Sequence, residues 1–510
     1  MDYEAIVIGG GTTGSVIAHE LGKLGRKVLV VEAGGKAQMK WPVRLAGDGG
    51  VEGPPHFRNS FRLESDLGSH YHLAVRGLGG AGQIYAGWIY RFHPADFRLK
   101  STYGVGEDWP ISYDDLKPFF LRAEEIIGVS GEIDPNVPGT EPPYPMPAFP
   151  IDYASQVFNR KLKGELEFTS ASQSRNRVKY DDRPACRGYR MCWECPLEAK
   201  WTPQNSVIRK THPLKNVEYL IRSPVVFIDV EANGEIAGIR CLSSTGERRL
   251  TAEVYVLACN GIETPRMMLH CRQPNAPEGL ANSSGLVGRN YMGHPHVDWI
   301  VDLGENVYGG RGPLHSSNCT RFADHPDRAN SSAVNLHYIQ TTIPQINLNP
   351  DLWGAELISD AQVDTGQIVH LGIESEMLPD ERSYIALDPE IDQFGINNVR
   401  VRYFLTDYVR RGFERVAEIL RNAEKRGDIK GFEQRPPQHD GGHWMGATRM
   451  GTGRNNSVTD SFGRAWDHPN LFVAGASLYP TCTPFNPLEA SVALALRAIP
   501  EIERHIRESA

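Results

Sequence analysis

Short apolar runs alternate along this chain with longer amphipathic stretches. Residues 3–8 and 27–31 are apolar runs typical of buried strands, and residues 15–24 have the spacing of a helix. The glycine-rich segment 9–14 lies between the first run and this helix. The pattern therefore predicts a strand–turn–helix–strand unit at the start of the chain.

The later part of the chain reads differently. Strand-like segments with turns between them fill residues 290–405, which predicts a largely antiparallel sheet with one face covered. Amphipathic helices are predicted over residues 410–424 and 488–506. The proline-rich stretch 134–150 excludes a long helix or a central strand, so we predict a loop leading into a second domain. The strands expected after residue 200 are 225–230, 254–258, 297–302, 334–339, 367–374, 384–387 and 399–404.

These elements, over 510 residues, predict two domains in an α/β plus β protein. We expect a Rossmann-like nucleotide-binding domain that is discontinuous in sequence, formed by residues 1–150, 200–292 and 435–510. Residues 151–199 and 293–434 would form a substrate-binding domain built on the antiparallel sheet.

Composition narrows the class of protein. The net charge is -8 without a basic stripe, which argues against a nucleic acid or an anionic membrane as partner. No apolar stretch reaches transmembrane length. A strand starts almost at the first residue with no signal-like segment before it, so we expect a cytoplasmic protein. Eight cysteines in a chain of this length give no disulfide framework, which fits a reducing compartment.

The glycine-rich turn has the spacing of a dinucleotide-binding fingerprint, Gly9-x-Gly11-x-x-Gly14, and Glu32 ends the second strand. Glycines let the backbone approach a pyrophosphate at the helix N-terminus, and the acidic residue accepts hydrogen bonds from ribose hydroxyls. Ala33 and two glycines follow Glu32, and the sequence has no second fingerprint for a nicotinamide. These features favour FAD over NAD.

Near the other end, His443 lies in the glycine-rich segment 442–451, and Asn486 precedes Pro487. An imidazole can take a hydroxyl proton near neutral pH, and an amide can donate a hydrogen bond to the developing alkoxide. A histidine in a loop and an Asn-Pro turn are the structural alternatives for the two residues.

Three further segments, residues 76–88, 258–269 and 470–480, together with the fingerprint, resemble the glucose–methanol–choline (GMC) family of flavin oxidoreductases. Smaller similarities occur at 108–111 and 288–290. The resemblance covers nearly the whole chain in the right order. It implies the GMC fold and an FAD-dependent oxidoreductase that acts on CH–OH groups.

Within that family, the sequence around His443 and the Asn486-Pro487 pair are most similar to the pyranose oxidase branch, which includes C-glycoside 3-oxidases. The resemblance implies that His443 and Asn486 face the flavin ring and a secondary sugar hydroxyl, at C3 or C2 of a pyranose or a glycoside, which is oxidised to the ketone. Hydride would pass to the flavin N5. The cofactor-binding residues expected are Gly9, Gly11, Thr12, Thr13, Gly14, Glu32, Ala33, Gly79, Gly80, Gly82, Val225, Ala258, Gly475, Ala476 and Pro487.

Two departures from the family pattern concern the flavin. Some relatives attach FAD covalently through a histidine at the position of Ile84, whose aliphatic side chain cannot form that bond, so we expect non-covalent FAD. Ala86 replaces a threonine that pyranose oxidases place near the flavin N5. The electron acceptor, oxygen or another molecule, therefore stays open. A homo-oligomer is compatible with the sequence.

Cys186, Cys192 and Cys195 form a cysteine-rich loop. A structural zinc site needs four ligands, and no fourth lies at the required spacing, so we favour a structural loop over a metal or redox role. We predict no metal site. His294 and His296, and His439-Asp440 with His443, are interpreted as supporting or surface residues. Four aromatic residues, Trp353, Trp444, Tyr479 and Phe485, are expected in the core or along a sugar-binding wall.

Two other functions stay open at this point. A GMC enzyme for a non-sugar alcohol, such as a polyol, an aryl alcohol or a sterol, would carry the same motifs. A flavin-binding redox sensor would use the cysteine-rich loop instead of an alcohol substrate.

Overall fold

The computed structural model describes residues 1–36, 44–45, 51–52, 59–65, 68–137, 143–189, 192–193, 195–307, 316–339, 351–438 and 442–509. Its strands are, in chain order, β1 (Tyr3–Ile8), β2 (Val28–Val31), β3 (Arg44–Leu45), β4 (Val51–Glu52), β5 (Asn59–Ser65), β6 (Gly68–Ala74), β7 (Thr169–Ser170), β8 (Val217–Leu220), β9 (Val225–Val230), β10 (Ile236–Ser243), β11 (Gly246–Leu250), β12 (Ala252–Leu257), β13 (Tyr291–Met292), β14 (His296–Asp302), β15 (Ser317–Cys319), β16 (Val334–Ile339), β17 (Ile368–Ser375), β18 (Tyr384–Ile391), β19 (Asn397–Tyr403), β20 (Gly431–Gln434), β21 (Met445–Gly446) and β22 (Leu471–Val473). Its α-helices are α1 (Thr12–Lys23), α2 (Leu99–Tyr103), α3 (Tyr113–Ile127), α4 (Tyr153–Lys161), α5 (Arg209–Thr211), α6 (Asn260–His270), α7 (Gly354–Gly366), α8 (Asp407–Arg426) and α9 (Leu488–Ser509).

A parallel sheet with the strand order β22-β12-β1-β2-β8 forms the nucleotide-binding part. Strands β22, β12, β1 and β2 are largely buried, which explains why they read as nearly continuous apolar runs, whereas the edge strand β8 is partly exposed. Ile17 and Leu21 of α1 and Ile499 of α9 pack with Val7 and Val256 in one apolar cluster. The predicted unit β1–α1–β2 is confirmed, with α1 beginning at Thr12, slightly earlier than expected.

A second sheet has the order β20-β14-β17-β16-β15-β7, and its neighbouring strands are antiparallel. Helix α8 covers one face, where its Phe413 and Leu420 cluster with Trp299 of β14 and Leu371 of β17. The period of two along each strand turns other residues to the opposite face. This arrangement confirms the predicted antiparallel sheet with one covered face.

The strands predicted over 384–387 and 399–404 are present but lie in a different sheet. As β18 and β19 they pair with each other, and β19 continues in parallel to β5, which pairs with β6. Apolar alternation sets which face of a strand is buried and does not specify its partner. This sheet joins strands from both sides of the predicted domain division, which stays a proposal.

The described parts of the proline-rich stretch 134–150 contain no helix and no strand, as predicted. Within the described ranges, none of the helices combines the length and apolarity needed to cross a bilayer.

Candidate active site

A cavity of about 1050 Å³ extends from the end of β1 to the face of the antiparallel sheet that carries His337 and Glu374. Ligand pockets usually measure about 300–1,000 Å³, so this one has room for a dinucleotide and a substrate. All the predicted site residues except Gly14 and Gly79 line it, namely His443, Asn486, Gly9, Gly11, Thr12, Thr13, Glu32, Ala33, Gly80, Gly82, Val225, Ala258, Gly475, Ala476 and Pro487.

The two exceptions are glycines with a packing role. A Cβ at Gly14 would lie 2.0 Å from the carbonyl oxygen of Gly9, so only glycine lets α1 pack against the turn before it. Gly79 has a φ of +96° and donates its backbone N–H to the carbonyl of Gly10 at 2.7 Å. It therefore fixes the position of its segment behind the cavity.

The turn before α1 fits the pyrophosphate of a dinucleotide. A Cβ at Gly9 would meet the carbonyl oxygen of Ala258 at 2.6 Å, whereas a Cβ at Gly11 would meet no protein atom within 4 Å. Gly11 provides no side-chain cap for α1, so N–H groups of the first turn stay available beside the cavity. A helix N-terminus of this kind binds anions.

Glu32, which is 7% exposed, is held at the carboxyl end of β2. One carboxylate oxygen accepts the N–H of Gly10 at 2.9 Å and the other accepts the N–H of Gly34 at 2.7 Å. Each oxygen keeps a further lone pair, which suits the hydroxyls of a ribose. The glycine cradle and this fixed carboxylate together fit FAD.

At the far end of the cavity, a short strand pair brings two histidines together. Strand β13 pairs with β21 in antiparallel register, Tyr291 opposite Gly446 and Met292 opposite Met445. Chain direction then places the residues just after β13 beside those just before β21. Consequently His294 meets His443, and their Nδ1 atoms lie 2.9 Å apart.

The other ring nitrogen of His443, Nε2, lies 3.0 Å from the side-chain nitrogen of Asn486. Asn486 is held in front of α9, where the carbonyl of Pro487 accepts the hydroxyl of Tyr479 at 2.8 Å. The predicted base and its amide partner thus share one end of the cavity.

The antiparallel sheet supplies a polar wall beside this pair. His296, His337 and Glu374 stand on its cavity face. Burial lowers the pKa of His337 to about 3, so this ring is neutral, and its centroid lies 4.3 Å from that of Trp88. His296 contacts a carboxylate oxygen of Asp298 at 3.0 Å. The neutral imidazole of His337 can both donate and accept hydrogen bonds, which suits a ligand rich in hydroxyls.

Comparisons with known proteins show the family of the chain. A family model described as GMC oxidoreductase matches residues 379–495. Fructose dehydrogenase large subunit from Gluconobacter japonicus is 30% identical over 546 residues, covering 100% of this chain and 99% of the relative. The chain belongs to the GMC oxidoreductase family. It is therefore an FAD-dependent oxidoreductase that acts on CH–OH donors, and the predicted fold class is confirmed.

This GMC protein is also similar to a second relative and to a solved structure. C-glycoside 3-oxidase from Microbacterium trichothecenolyticum is 31% identical over 54% of this chain and 51% of the relative. The solved structure of pyridoxine 4-oxidase from Mesorbium loti superimposes with a TM-score of 0.69 at 18% identity, covering 98% of this chain and 99% of the other. The second similarity concerns the fold alone.

The cysteine-rich loop of this GMC protein touches the cavity through Trp193, which lies between the second and third cysteines. The buried Lys200 donates to the carbonyls of Gln83 (3.1 Å), Tyr85 (2.6 Å) and Trp193 (3.2 Å), which fastens the loop to the segment along the flavin cavity. The three sulfurs are free thiols, and burial raises the pKa of Cys186. The structural role of the loop stays a prediction.

The four aromatic residues predicted for the core or a sugar-binding wall lie in different places. Trp444 lines the cavity, whereas Tyr479 and Phe485 are buried in the core and Trp353 is 83% exposed and away from it. His439 and Asp440 lie outside the described residues.

The sequence analysis did not predict Glu374 as a site residue, and it gave His294 only a supporting role. Both line the cavity together with His443, the predicted base. In the part of the chain that the structure describes, His294, Glu374 and His443 also place atoms of the kind that can coordinate a metal ion within 4.8 Å of one another. Glu374 follows an apolar strand pattern, and only its pairing opposite His296 reveals its position.

Proposed function

We propose that this protein oxidises a secondary hydroxyl of a pyranose sugar or glycoside, at C3 or C2, to the keto sugar, with His443 as base. The observation that carries the proposal is the pair of nitrogens, His443 Nε2 and Asn486 Nδ2, 3.0 Å apart on the wall of a cavity that fits FAD. The names of two relatives, fructose dehydrogenase and C-glycoside 3-oxidase, support a sugar substrate.

Each side chain has a defined task in this reaction. His443 Nε2 takes the hydroxyl proton, and Asn486 donates a hydrogen bond to the oxygen as negative charge develops on it. FAD, when bound, supplies the acceptor for the hydride from the carbinol carbon. The protein contributes position and a proton acceptor.

The polar wall favours a sugar over an apolar alcohol. His337 and Glu374 are buried and His296 is partly exposed, and a sterol or aryl alcohol that covers them would add no hydrogen-bond partner for their polar atoms. An unpaired buried polar group costs about 1–3 kcal/mol, so any polar atom on this wall that loses its contact with water without gaining a partner opposes an apolar substrate. A pyranose brings several hydroxyls that can both donate and accept.

Electrons then have to leave the flavin. Ile84 and Ala86 both line the cavity, and neither side chain can bond to the cofactor or donate a hydrogen bond near it. We propose non-covalent FAD that is re-oxidised by oxygen or by another acceptor. The relative named as a large subunit supports a further possibility, that a partner subunit takes the electrons.

Anaerobic bleaching of the flavin absorbance tests the substrate class. The panel comprises D-fructose, D-glucose, a methyl O-glycoside and a C-glycoside, with 1,2-propanediol, benzyl alcohol and cholesterol as non-sugar alcohols. We expect at least one sugar or glycoside to bleach the flavin within seconds and the non-sugar alcohols to leave it oxidised. NMR of the product identifies the carbon, and re-oxidation by oxygen or a quinone identifies the acceptor class.

Two results would contradict the proposal. Bleaching by a non-sugar alcohol alone would assign the enzyme to another GMC activity. A flavin that no alcohol reduces, and whose spectrum changes when the thiols are alkylated, would favour a redox sensor that uses the cysteine-rich loop.

A further inference from the structure

Behind the proposed base lies a buried group with no part in the reaction as described so far. His294 is 1% exposed and its Nε2 lies 2.6 Å from the carbonyl oxygen of Thr483. Glu374 places one carboxylate oxygen 3.5 Å from Nδ1 of His294 and the other 3.6 Å from Nδ1 of His443. Both residues therefore face the side of His443 that points away from Asn486.

The hydrogen-bond partners define where the protons are. A carbonyl oxygen only accepts, so Nε2 of His294 carries a proton and, in the neutral ring, Nδ1 accepts. His443 then donates from its own Nδ1, which leaves Nε2 of His443 unprotonated and able to accept from Asn486. This is the tautomer that a base needs, and it follows from the contacts of His294.

We propose that Glu374 and His294 are positioning residues for the His443 base: His294 sets its tautomer, and Glu374 compensates the positive charge that His443 gains. The inference rests on the proposed function. The hydroxyl proton moves to Nε2 of His443, and the Nδ1 proton of His443 can pass to Nδ1 of His294. The O–H bond breaks as the N–H bond forms, the carbinol C–H electron pair leaves as hydride to FAD, and Glu374 stays a carboxylate throughout.

The electrostatics of the cluster support an anionic Glu374. Burial alone would raise the pKa of Glu374, but the charge of His443 and the hydrogen bond with His294 outweigh it and hold the pKa well below its usual range. Burial lowers the pKa of His294, whereas Cys482 and Glu374 raise it. Burial also raises the pKa of the Cys482 thiol, so that group carries no charge at neutral pH and does not by itself keep the His294 ring protonated. Glu374 is thus an anion throughout the working pH range.

Other titratable groups face the cluster from each element around it. Cys482, in the loop before α9, contacts His294, and burial raises the pKa of its thiol. His337 on β16 faces Glu374 as a neutral ring. His296 is paired with Asp298 on β14. Burial and the charge of Glu374 raise the pKa of Tyr90. Of these groups, Glu374 is the carboxylate that lies within ion-pair distance of His443.

Histidine-selective ¹⁵N NMR of the oxidised, FAD-loaded protein tests the inference without substrate turnover. We expect neutral His443 to carry its proton on Nδ1 and neutral His294 on Nε2. In Glu374→Gln, the loss of a nearby negative charge should lower the titration midpoint of His443 by roughly one to three pH units relative to the wild type. Glu374→Asp keeps a carboxylate, so the His443 midpoint should lie between those of Glu374→Gln and the wild type. Glu381→Gln, the same change at an exposed position, should leave the midpoint unchanged.

The pH dependence of anaerobic flavin reduction by D-fructose and by a methyl glucoside gives the second readout. The acid limb of the profile should move to lower pH in Glu374→Gln by the same amount as the NMR midpoint. A His443 midpoint in Glu374→Gln equal to that of the wild type, or a neutral His443 protonated on Nε2, would overturn the inference. If no sugar reduces even the wild-type flavin, the proposed function fails, while the NMR titration still decides the role of Glu374.

Discussion

Asn486 is close enough to His443 that a charge placed there would act directly on the base. The two side-chain nitrogens are 3.0 Å apart, and the asparagine side chain lies on the cavity wall. The base works only while Nε2 of His443 is unprotonated. Any change at residue 486 that stabilises the imidazolium therefore removes active enzyme at neutral pH.

We expect Asn486→Asp to move the acid limb of flavin reduction to higher pH by roughly one to three units. A carboxylate next to Nε2 stabilises the protonated ring, so its pKa rises and the rate is lost as the pH falls through that raised value. Stopped-flow reduction at several pH values measures the shift. Asn233→Asp, in an exposed turn, is the matched control. An acid limb that stays in place or moves to lower pH would contradict this role of Asn486.

Single residues differ in how far the sequence could predict them. His443 and Asn486 stand in motifs that resemble a known family, so their type and surroundings were visible. Glu374 has no motif. It ends an apolar strand, and its function depends on which strands flank it, since β17 lies between β14 and β16. An alternation of apolar and polar residues does not specify which strands pair.

At the scale of secondary-structure elements, two very short strands position the proposed catalytic base. The pair β13–β21 has two residues in each strand and still fixes His294 against His443. Gly446 and Ala447 have φ values of +72° and +71°, so the chain turns sharply straight after the base. Such short, strained segments have no strand signature in the sequence, whereas β1, α1, α8 and α9 were predicted from their periodicity.

The start of α1 allows a prediction that separates binding from folding. Gly11→Ala adds a methyl group with no protein atom within 4 Å, but next to the cofactor space. We expect unchanged thermal unfolding of the apoprotein and an FAD dissociation constant raised roughly tenfold or more. Gly14→Ala, whose Cβ would be 2.0 Å from the Gly9 carbonyl, should lower the free energy of unfolding by roughly 1–3 kcal/mol as well.

Fluorescence titration with FAD and thermal denaturation measure both effects. Gly453→Ala, where the nearest atom would be an ordinary 3.8 Å away, serves as control. Wild-type FAD affinity in Gly11→Ala would show that the cofactor does not approach this turn.

At the scale of the whole molecule, the cavity joins two sheets with separate tasks. The parallel sheet carries the nucleotide cradle, and the antiparallel sheet carries the polar wall. The sequence predicted both sheets, because long buried runs and regular alternation are strong signals. It placed β18 and β19 in the wrong sheet, because strand partners are set by packing across the whole chain.

The same cavity predicts how FAD is held. Ile84 offers no atom that could bond to the flavin, so acid precipitation of the wild-type protein should release all the flavin into the supernatant. Absorbance of the supernatant and fluorescence of the washed pellet measure the two fractions. A pellet that keeps flavin fluorescence would mean covalent attachment through another residue.

The most direct test of the account is single-turnover flavin reduction in His443→Ala, using the sugar that bleaches the wild-type flavin fastest. The nucleotide cradle is formed by other residues, so the variant should keep its full FAD content, while loss of the base should slow reduction by about 10²–10⁴-fold. His370→Ala removes a histidine outside the cavity lining and should reduce at the wild-type rate. Reduction of the His443→Ala flavin at the wild-type rate would contradict the account.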